Sequence, residues 1–323
     1  MIQAGWKDLF AQLLRQDRVM LLAHRGPDAD TLGSCFALKH LLERAGRQVF
    51  VACSDEVPQR LQFVTDGAAE LPMLFEPQTV VSLDVAEPKL LGSAYESWAT
   101  RVDFCIDHHA TNTAYAAQTI CDGACSSTGE LLYQLIVECG LELDTYLAEK
   151  LYAAISSDTG CFKYSNTRPS THLAAAQLLR YSIDAAQINR NLFDCAPLSR
   201  IQLEGIAAQR LEVHCNGRVS VLCVTQDMIR PLGLDDDSMD GLSSVARRVQ
   251  GTQASITLRQ LSDGEIRVSL RSEGDLNVAQ VAGVFGGGGH ARAAGCSFTG
   301  DLQQAKQSLL KVIEEALDDH TDR

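Results

Sequence analysis

The sequence predicts an α/β protein in which a doubly wound parallel sheet is followed by a smaller, mixed α/β domain. Up to about residue 185, short apolar runs alternate with segments of helical periodicity, as in parallel sheets covered by helices. Beyond that point, strand-like runs follow one another across short turns. The 323 residues exceed one typical core, and a hydrophobic fraction of 46% fits an ordinary globular protein. We therefore expect two domains.

The first part begins with an amphipathic helix in which Leu9, Leu13 and Leu14 share a face, and the buried strand "RVMLLAH" follows it. The segment "TLGSCFALKHLLERAG" predicts a helix closed by Gly46, and "QVFVAC" predicts the next strand. Two further strands are expected at "TVVSLDV" and "VDFCIDHH", and two further helices at "STGELLYQLIVECG" and "TYLAEKLYAAISSDTG". Strands interleaved with helices predict a parallel sheet.

The second part begins with helical segments around 170–181 and 199–211. The strands "RVSVLCVT", "QASITLRQ" and "EIRVSLRS" follow, with turns such as "SDGE" between them, as in hairpins. The segment "DLQQAKQSLLKVIEEAL" predicts a final helix. We place the domain limits at 1–188 and 213–323, with a helical linker at 189–212.

Composition restricts the class of partner. The formal net charge of −13 disfavours binding to long nucleic acid, which needs a broad basic surface, but a small anionic substrate remains compatible with it. No apolar run approaches the roughly 18 residues of a membrane span, so no membrane partner is expected. The eleven cysteines are scattered and odd in number, which indicates reduced thiols and a cytoplasmic location.

Acidic and histidine residues follow several of the predicted strands. They are His24, Asp28, Asp30, Asp84, Asp107, His108, His109 and, after a helix, Asp158. A lone Asp28 and Asp30 pair would more often cap a helix or form a turn. Four segments that end in acidic or histidine residues predict instead a shared site. Their carboxylates and imidazoles would meet at the edge of the sheet formed by the C-terminal ends of the strands. Such a donor set suits divalent metals such as Mn²⁺, and two of them could clamp a phosphoryl displacement.

A second signal is "FGGGGHARAAG", residues 285–295. Successive glycines allow positive φ and let backbone N–H groups approach an anion. A flexible linker is the alternative, but the apolar residues on both sides place the run inside a domain. Arg271 and Ser272 end a nearby strand, and from the sequence alone Arg271 could equally be a surface residue.

These motifs resemble a known family. "HRGPDAD", "VSLD", "DHHATN" and "SSDTGCFKYSNT", in this order, are similar to the four motifs of the DHH phosphoesterase superfamily, over residues 18 to 190. Thr31 replaces an alanine that is common in the first motif. "VSLRS", "NVAQVAGVFGGGGHARAAG" and the last helix resemble the DHHA1 domain of the nanoRNase and phosphoadenosine-phosphate phosphatase branch.

The resemblance implies a site with two Mn²⁺ ions, for which Mg²⁺ or Co²⁺ could substitute. One metal would be bound by His24, Asp28 and Asp84. The other would be bound by Asp30, Asp84, His108 and Asp158, so that Asp84 bridges the pair. The resemblance also implies catalytic roles for Asp107, which would orient a histidine, and for His109, which would lie near the leaving group or a phosphate oxygen.

The resemblance further implies an active site in the cleft between the two domains. The second domain would bind the terminal phosphate and base of a short nucleotide through Arg271, Ser272, Gly287, Gly288, Gly289, His290 and Arg292. The expected activity is Mn-dependent hydrolysis of very short oligoribonucleotides, and of linear dinucleotides such as pApA or pGpG, to nucleoside 5′-monophosphates. Hydrolysis of 3′-phosphoadenosine 5′-phosphate (pAp) to AMP belongs to the same expectation.

Two other functions remain open from the sequence. A stand-alone cyclic-di-AMP phosphodiesterase would have almost the same motifs. A nucleotide-binding sensor without catalysis would be expected to have lost ligands, whereas all of the implied ligands are present. The oligomeric state is open from the sequence, and a homodimer is the usual prior because it is the commonest homo-oligomer.

Overall fold

The computed structural model describes residues 3, 5–239, 241–273 and 275–321. These residues fall into two compact units, one ending at Cys195 and the other beginning at Ala196. The division lies within the segment expected to link the domains.

A five-stranded parallel sheet, in the order β2-β1-β3-β4-β5, forms the centre of the first unit. Its strands are β1 (Val19–Leu22), β2 (Val49–Ala52), β3 (Thr79–Leu83), β4 (Phe104–Asp107) and β5 (Gln118–Cys121). The first four were expected. The apolar pattern did not indicate β5, because only Ile120 of its four residues is fully buried at this edge of the sheet.

The helices of the first unit are α1 (Trp6–Leu13), α2 (Ala29–Arg44), α3 (Thr128–Glu138), α4 (Thr145–Asp158), α5 (Pro169–Leu178) and α6 (Ala185–Asn189). Alternate strand residues such as Leu21 and Val81 form one large core with these helices. Their neighbours, such as Leu22 and Val80, pack on the opposite face against two 3₁₀ helices, Pro88–Leu91 and Glu96–Arg101. Both faces of the sheet are therefore covered, as expected for a parallel sheet.

Helix α2 carries the first acidic motif and begins directly from it. The carboxylate of Asp28 accepts hydrogen bonds from the backbone N–H groups of Asp30 and Thr31, at 2.9 and 3.1 Å. At the other end the cap is Ala45, and Gly46 follows in the left-handed conformation with φ +75°. Asp28 is thus the N-cap of α2, the role expected of an isolated aspartate at this position. Both capping hydrogen bonds go to Oδ1, so neither of them uses Oδ2.

The second unit contains a six-stranded mixed sheet in the order β10-β11-β9-β8-β7-β6. Its strands are β6 (Glu212–His214), β7 (Val219–Val224), β8 (Ala254–Gln260), β9 (Glu265–Ser272), β10 (Gly288–His290) and β11 (Ala293–Thr299). Strands β8 and β9 form the expected hairpin. Strands β7 and β8 were expected to form a hairpin, but they pair in parallel. The chain between them is a crossover connection that contains α8 (Gln226–Ile229) and α9 (Ser243–Arg247).

The helices of the second unit are α7 (Leu198–Gln209), α8 (Gln226–Ile229), α9 (Ser243–Arg247), α10 (Val278–Val284) and α11 (Leu302–Thr321). Residues of α10 and α11 form one core with the sheet, and residues of α7, α8 and α9 form another. Across the described residues, no helix combines the length and the apolar character needed to cross a membrane.

Candidate active site

Asp84 lies at the centre of the acidic cluster in the first unit. It follows β3 directly, is 3% exposed, and has φ +63°, a left-handed conformation that aspartate tolerates better than most residues. This backbone turn directs its two oxygens to different histidines. Oδ2 lies 3.6 Å from His24 Nε2, and Oδ1 lies 3.6 Å from His108 Nε2. Asp84 is therefore shared by two groups of residues.

The first group consists of His24, Asp28 and Asp84, whose candidate ligand atoms all lie within 4.8 Å of one another. The His24 Nε2 atom is 3.6 Å from Asp28 Oδ1. His24 Nδ1 lies 2.8 Å from the carbonyl oxygen of Arg25, an acceptor that requires the proton on Nδ1. In the neutral imidazole the lone pair of Nε2 would face the carboxylates, which is the usual arrangement of a metal-binding histidine.

The second group consists of Asp30, His108 and Asp158, and Asp84 joins it through the 3.6 Å approach of its Oδ1 to His108 Nε2. His108 Nε2 lies 3.9 Å from Asp30 Oδ2 and 3.4 Å from Asp158 Oδ2, and its Nδ1 lies 3.3 Å from the carbonyl oxygen of Cys125. Asp158 is the last residue of α4, so this helix returns its carboxylate to the edge of the sheet, as expected. Both histidines thus direct Nε2 into the cluster and Nδ1 to a backbone carbonyl.

Asp30 is held by the start of α3. Its Oδ2 accepts a 2.8 Å hydrogen bond from the backbone N–H of Thr128, and its Oδ1 accepts one of 2.9 Å from Gly129. The first N–H groups of a helix have no acceptor within the helix itself, so they favour a negatively charged acceptor such as Asp30. The Asp30 carboxylate is completely buried and fixed in orientation.

The four carboxylates of Asp28, Asp30, Asp84 and Asp158 crowd together, and the basic groups beside them are histidines. Burial and the charges of Asp84 and Asp158 raise the pKa of Asp30 well above its usual value, and burial with Asp84 and Asp28 raises the pKa of Asp158 to about 7. Within the described parts of the chain, no lysine or arginine forms an ion pair with any of the four carboxylates. Negative charge therefore accumulates at the cluster, and a bound cation would relieve it.

Asp107 and His109 form a hydrogen-bonded pair at the end of β4, and His109 Nδ1 also lies 3.5 Å from Asp84 Oδ1 of the cluster. His109 Nδ1 donates a 2.7 Å hydrogen bond to Asp107 Oδ1, and Asn112 Nδ2 donates one of 2.6 Å to Asp107 Oδ2. The hydrogen bond to Asp107 raises the pKa of His109 to about 9, against the opposing effect of burial. These carboxylates therefore favour the protonated imidazole. Because its side chain is 40% exposed, it can donate a hydrogen bond to an anion.

The predicted substrate residues lie in the second unit, and the strand register aligns several of them. Arg271 pairs with Ser255 on one side and with Ala293 on the other, and Ala293 pairs with His290. Directly opposite residues of antiparallel strands point to the same face. Ser255, Arg271, Ala293 and His290 therefore form one row across β8, β9, β11 and β10, which we call the cross-strand row.

The glycine run is more ordered than an open loop. Gly288 to His290 form an edge strand, although Gly286 and Gly289 do adopt positive φ, at +73° and +141°. A Cβ at Gly287 would lie 2.2 Å from the carbonyl oxygen of Gly295, so this glycine is required by packing. A Cβ at Gly288 would meet open space. Only part of the run is thus free to approach a ligand.

Ser272 and Arg292 are placed differently from each other. The hydroxyl of Ser272 donates a 2.7 Å hydrogen bond to the carbonyl oxygen of Leu276, which uses its one proton within the protein. Arg292 is exposed, and its carbonyl oxygen accepts from the backbone N–H of Ser272 at 3.1 Å. Roles of both residues in substrate binding stay predictions.

Comparison with known proteins identifies the two parts of the chain. Residues 18–155 match the model of the DHH family, N-terminal domain, and residues 216–319 match that of the DHHA1 domain. The chain is 30% identical to the bifunctional oligoribonuclease and PAP phosphatase NrnA of Thermus thermophilus, over 96% of this chain and 94% of the relative. It belongs to the DHH/DHHA1 phosphoesterases. The predicted resemblance is confirmed, and the chain is a hydrolase acting on phosphoester bonds.

Further comparisons extend over the same length. The NrnA protein of Bacillus subtilis is 27% identical, over 90% of this chain and 92% of the relative. A crystal structure of an exopolyphosphatase-related protein from Bacteroides fragilis has a TM-score of 0.89 and 25% sequence identity, with coverage of 99% of this chain and 97% of that one. These matches support the two-domain α/β architecture as a whole.

The DHH site fits the divalent metals on which this family depends. Its donors are carboxylate oxygens and imidazole nitrogens, which together suit borderline and hard cations such as Mn²⁺, Co²⁺ and Mg²⁺ better than soft ones. Each histidine has its second nitrogen bonded to a carbonyl oxygen, as metal-binding histidines commonly do. The structure thus brings all six predicted metal-binding residues of this DHH phosphoesterase together.

Sequence reasoning missed Thr128, Gly129 and Asn112. Besides its backbone bond to Asp30, Thr128 donates its hydroxyl to Asp84 Oδ1 at 2.9 Å. A signal for the first two was available, because "STGE" at 127–130 has the spacing of a helix-capping box and so predicts a helix N-terminus there. That this N-terminus faces Asp30, 98 positions away for Thr128, depends on the tertiary fold.

Proposed function

We propose that this protein is a Mn-dependent phosphoesterase that hydrolyses very short oligoribonucleotides, including linear dinucleotides such as pApA and pGpG, to nucleoside 5′-monophosphates. Hydrolysis of pAp to AMP is part of the proposal. The observation that carries it is the position of Asp84, whose two oxygens each face one histidine of two carboxylate-imidazole groups. The relatives in Thermus thermophilus and Bacillus subtilis, which are named as oligoribonucleases and PAP phosphatases, support the substrate class.

Two Mn²⁺ ions fit the two groups. One would be held by His24, Asp28 and Asp84, and the other by Asp30, Asp84, His108 and Asp158. When bound, such ions supply Lewis acidity and lower the pKa of water, which is the chemistry that phosphoester hydrolysis requires. The protein contributes the orientation of the carboxylates. Thr128 and Gly129 fix Asp30, and Thr128 also fixes the shared carboxylate of Asp84.

His109 would act on the substrate directly. Asp107 accepts the proton of His109 Nδ1 in a 2.7 Å hydrogen bond, so the second ring nitrogen is the one available to a ligand. In the protonated imidazole this Nε2–H can donate to a phosphate oxygen as negative charge develops there. Asp107 is a positioning residue in this scheme, held in place by Asn112.

The DHHA1 domain would bind the end of the substrate that is distant from the scissile bond. In the cross-strand row, Arg271 offers a guanidinium for a phosphate and His290 an imidazole for a base or sugar. The small side chain of Ala293 separates them and leaves room for a ring to lie across the strands. A binding site for one terminal nucleotide would limit the substrate to a few residues.

The remaining parts of the proposal concern location and assembly. All eleven cysteines lie among the described residues and none is in a disulfide, which supports a reducing compartment such as the cytoplasm. A homodimer is proposed as the assembly. Size-exclusion chromatography with light scattering would test it.

The proposal is tested with a substrate panel in the presence of Mn²⁺: pAp, linear pApA, cyclic di-AMP and RNAs of two to ten residues. We expect linear pApA and pAp to be hydrolysed, and rates on RNA to fall with length. Faster hydrolysis of cyclic than of linear dinucleotide would instead favour a cyclic-di-AMP phosphodiesterase. No hydrolysis of any substrate by protein that binds the nucleotides would favour a sensor.

A further inference from the structure

The fourth sequence motif, "SSDTGCFKYSNT", continues beyond the predicted metal-binding residue Asp158 to an asparagine, Asn166. The Nδ2 atom of Asn166 donates a 3.1 Å hydrogen bond to the carbonyl oxygen of Asp158 and one of 2.9 Å to the carbonyl oxygen of Ser126. Since both acceptors are carbonyl oxygens, only the amino group of the amide fits between them. Asn166 therefore joins the end of α4 to the segment before α3.

The bond to Asp158 satisfies a carbonyl group at the end of α4. The last carbonyl groups of a helix have no partner within it, so each needs another donor. In a longer helix the N–H of Phe162 would reach the Asp158 carbonyl, but it donates instead to the Thr159 hydroxyl oxygen at 3.1 Å. Asn166 supplies that donor from eight positions along the chain. The backbone is thus fixed at the residue whose carboxylate faces His108.

Residues 125–129, which we call the supporting segment, hold the other two side chains of the second group. The carbonyl oxygen of Cys125 lies 3.3 Å from His108 Nδ1, and two backbone N–H groups at the start of α3 donate to the two oxygens of Asp30. Ser126 lies inside this segment. The bond to the Ser126 carbonyl oxygen therefore attaches the supporting segment to the end of α4.

We propose that Asn166 is a positioning residue for the second group of ligands. Its one amino group fixes the backbone of Asp158 relative to the segment that holds His108 and Asp30. This inference rests on the proposed function, in which the second group binds one of two Mn²⁺ ions. Residues that orient metal ligands contribute about 10–100-fold to metal affinity.

The first group should depend much less on this asparagine. His24 and Asp28 are oriented by hydrogen bonds within residues 24–31, none of which involves Asn166. Among the residues that the structure describes, the Oδ1 atom of Asn166 is buried without a hydrogen-bond partner, so the amide acts through its two donated bonds. Loss of the amide should therefore weaken one metal site more than the other.

The chain offers a matched control in Asn189, another half-buried asparagine that is hydrogen-bonded to α4. Its Oδ1 accepts from the Ser156 hydroxyl at 2.6 Å, and its Nδ2 donates to the Tyr152 hydroxyl at 3.3 Å. Neither bond reaches Asp158 or the supporting segment. Asn189→Ala therefore removes bonds to the same helix and leaves both bonds of Asn166 in place.

Binding of Mn²⁺ to full-length, EDTA-treated protein is measured by calorimetry, with folding checked by circular dichroism. We expect wild type to bind two Mn²⁺ ions, and Asn166→Ala to weaken one site by about 10–100-fold while the other changes by less than about threefold. Asn166→Leu, which keeps the approximate size of the side chain but has no donor, should show the same selective loss. Asn189→Ala should keep both affinities within about threefold of wild type.

A second readout is the rate of pApA hydrolysis at increasing Mn²⁺ concentration. If Asn166 acts by orienting the second group, saturating Mn²⁺ should restore kcat of Asn166→Ala to within about threefold of wild type. A rate that saturating Mn²⁺ does not restore would show a general structural role instead.

Three binding results would also overturn the inference: unchanged affinities in both Asn166 variants, an equal loss at both sites, or the same selective loss in Asn189→Ala. Failure of the proposed function would be visible separately in the wild-type protein. Wild type that binds fewer than two Mn²⁺ ions would contradict the proposed pair of metal sites, and this inference with it.

Discussion

The hydroxyl of Thr128 donates a 2.9 Å hydrogen bond to Asp84 Oδ1, and both side chains are buried although 44 positions separate them. The backbone N–H of the same residue donates to Asp30 Oδ2. One residue at the start of α3 therefore orients the shared carboxylate and a carboxylate of the second group. Its hydroxyl can be removed while its backbone bond is retained.

Thr128→Val removes that hydroxyl and keeps the shape of the side chain. We expect the concentration of Mn²⁺ needed for half-maximal hydrolysis of pApA to rise by about 10–100-fold, because residues that orient metal ligands have effects of this size. Thr128→Ser keeps the hydroxyl and should stay within about threefold of wild type on the same scale. Equal behaviour of the two variants would show that the hydrogen bond to Asp84 is not important.

Asp107→Asn tests how His109 is positioned. The asparagine keeps the size of the side chain but loses the negative charge and one of the two acceptor oxygens that the His109 and Asn112 hydrogen bonds use. We expect kcat on pApA to fall by about 10–100-fold with little change in KM, since the interaction matters most as charge develops on the phosphate. Steady-state kinetics check this, and a change confined to KM would contradict it.

Gly287 and Gly288 provide a matched pair in the glycine run. Alanine at 287 would place Cβ 2.2 Å from the carbonyl oxygen of Gly295, whereas alanine at 288 would extend into open space. We expect Gly287→Ala to lower the free energy of unfolding by about 1–3 kcal/mol and Gly288→Ala to change it by less than about 0.5 kcal/mol. Urea denaturation measures both values, and equal losses would contradict the packing role of Gly287.

Glu130 predicts a pH dependence of stability that is separate from the acidic cluster. Burial would raise the pKa of this carboxyl, but hydrogen bonds from Ser126, Ser170 and Thr171 hold it below its usual value. Because the folded pKa is lowered, its stabilisation is present above the unfolded pKa of about 4.3 and is lost as pH falls through the folded pKa.

Glu130→Gln should therefore cost about 1–3 kcal/mol of unfolding free energy at pH 7, and the difference from wild type should shrink below about pH 4. Denaturation curves measured from pH 3 to pH 7 check the sign. A difference that grows on acidification would show that Glu130 is not stabilised as a carboxylate.

The sequence predicted the elements whose signal is local. Burial on both faces of a strand leaves a continuous apolar run, and such runs predicted strands such as β1 and β3. The edge strand β5 was missed because three of its four residues are only half-buried. In the same way, the family motifs placed His24, Asp84 and Asp158 in one site before any distance was known.

Other features depend on contacts between distant segments. The pairing of Gly288 to His290 with β11 is a property of the sheet edge, so a glycine run alone could not predict it. Arg247 lies at the end of α9, in the crossover between β7 and β8, and lines the same pocket as Arg271, 24 positions further along the chain. Parallel pairing across such a crossover leaves no local pattern.

The most direct test of the central claim is the rate of Mn-dependent pApA hydrolysis by Asp84→Asn beside wild type, with folding checked by circular dichroism. Asp84 is the residue whose two oxygens face both histidines, at 3.6 Å each. We predict that the variant folds and loses at least about 1,000-fold in kcat/KM, since the shared carboxylate belongs to both metal-binding groups. A folded Asp84→Asn protein that hydrolyses pApA at the wild-type rate would contradict the proposed site.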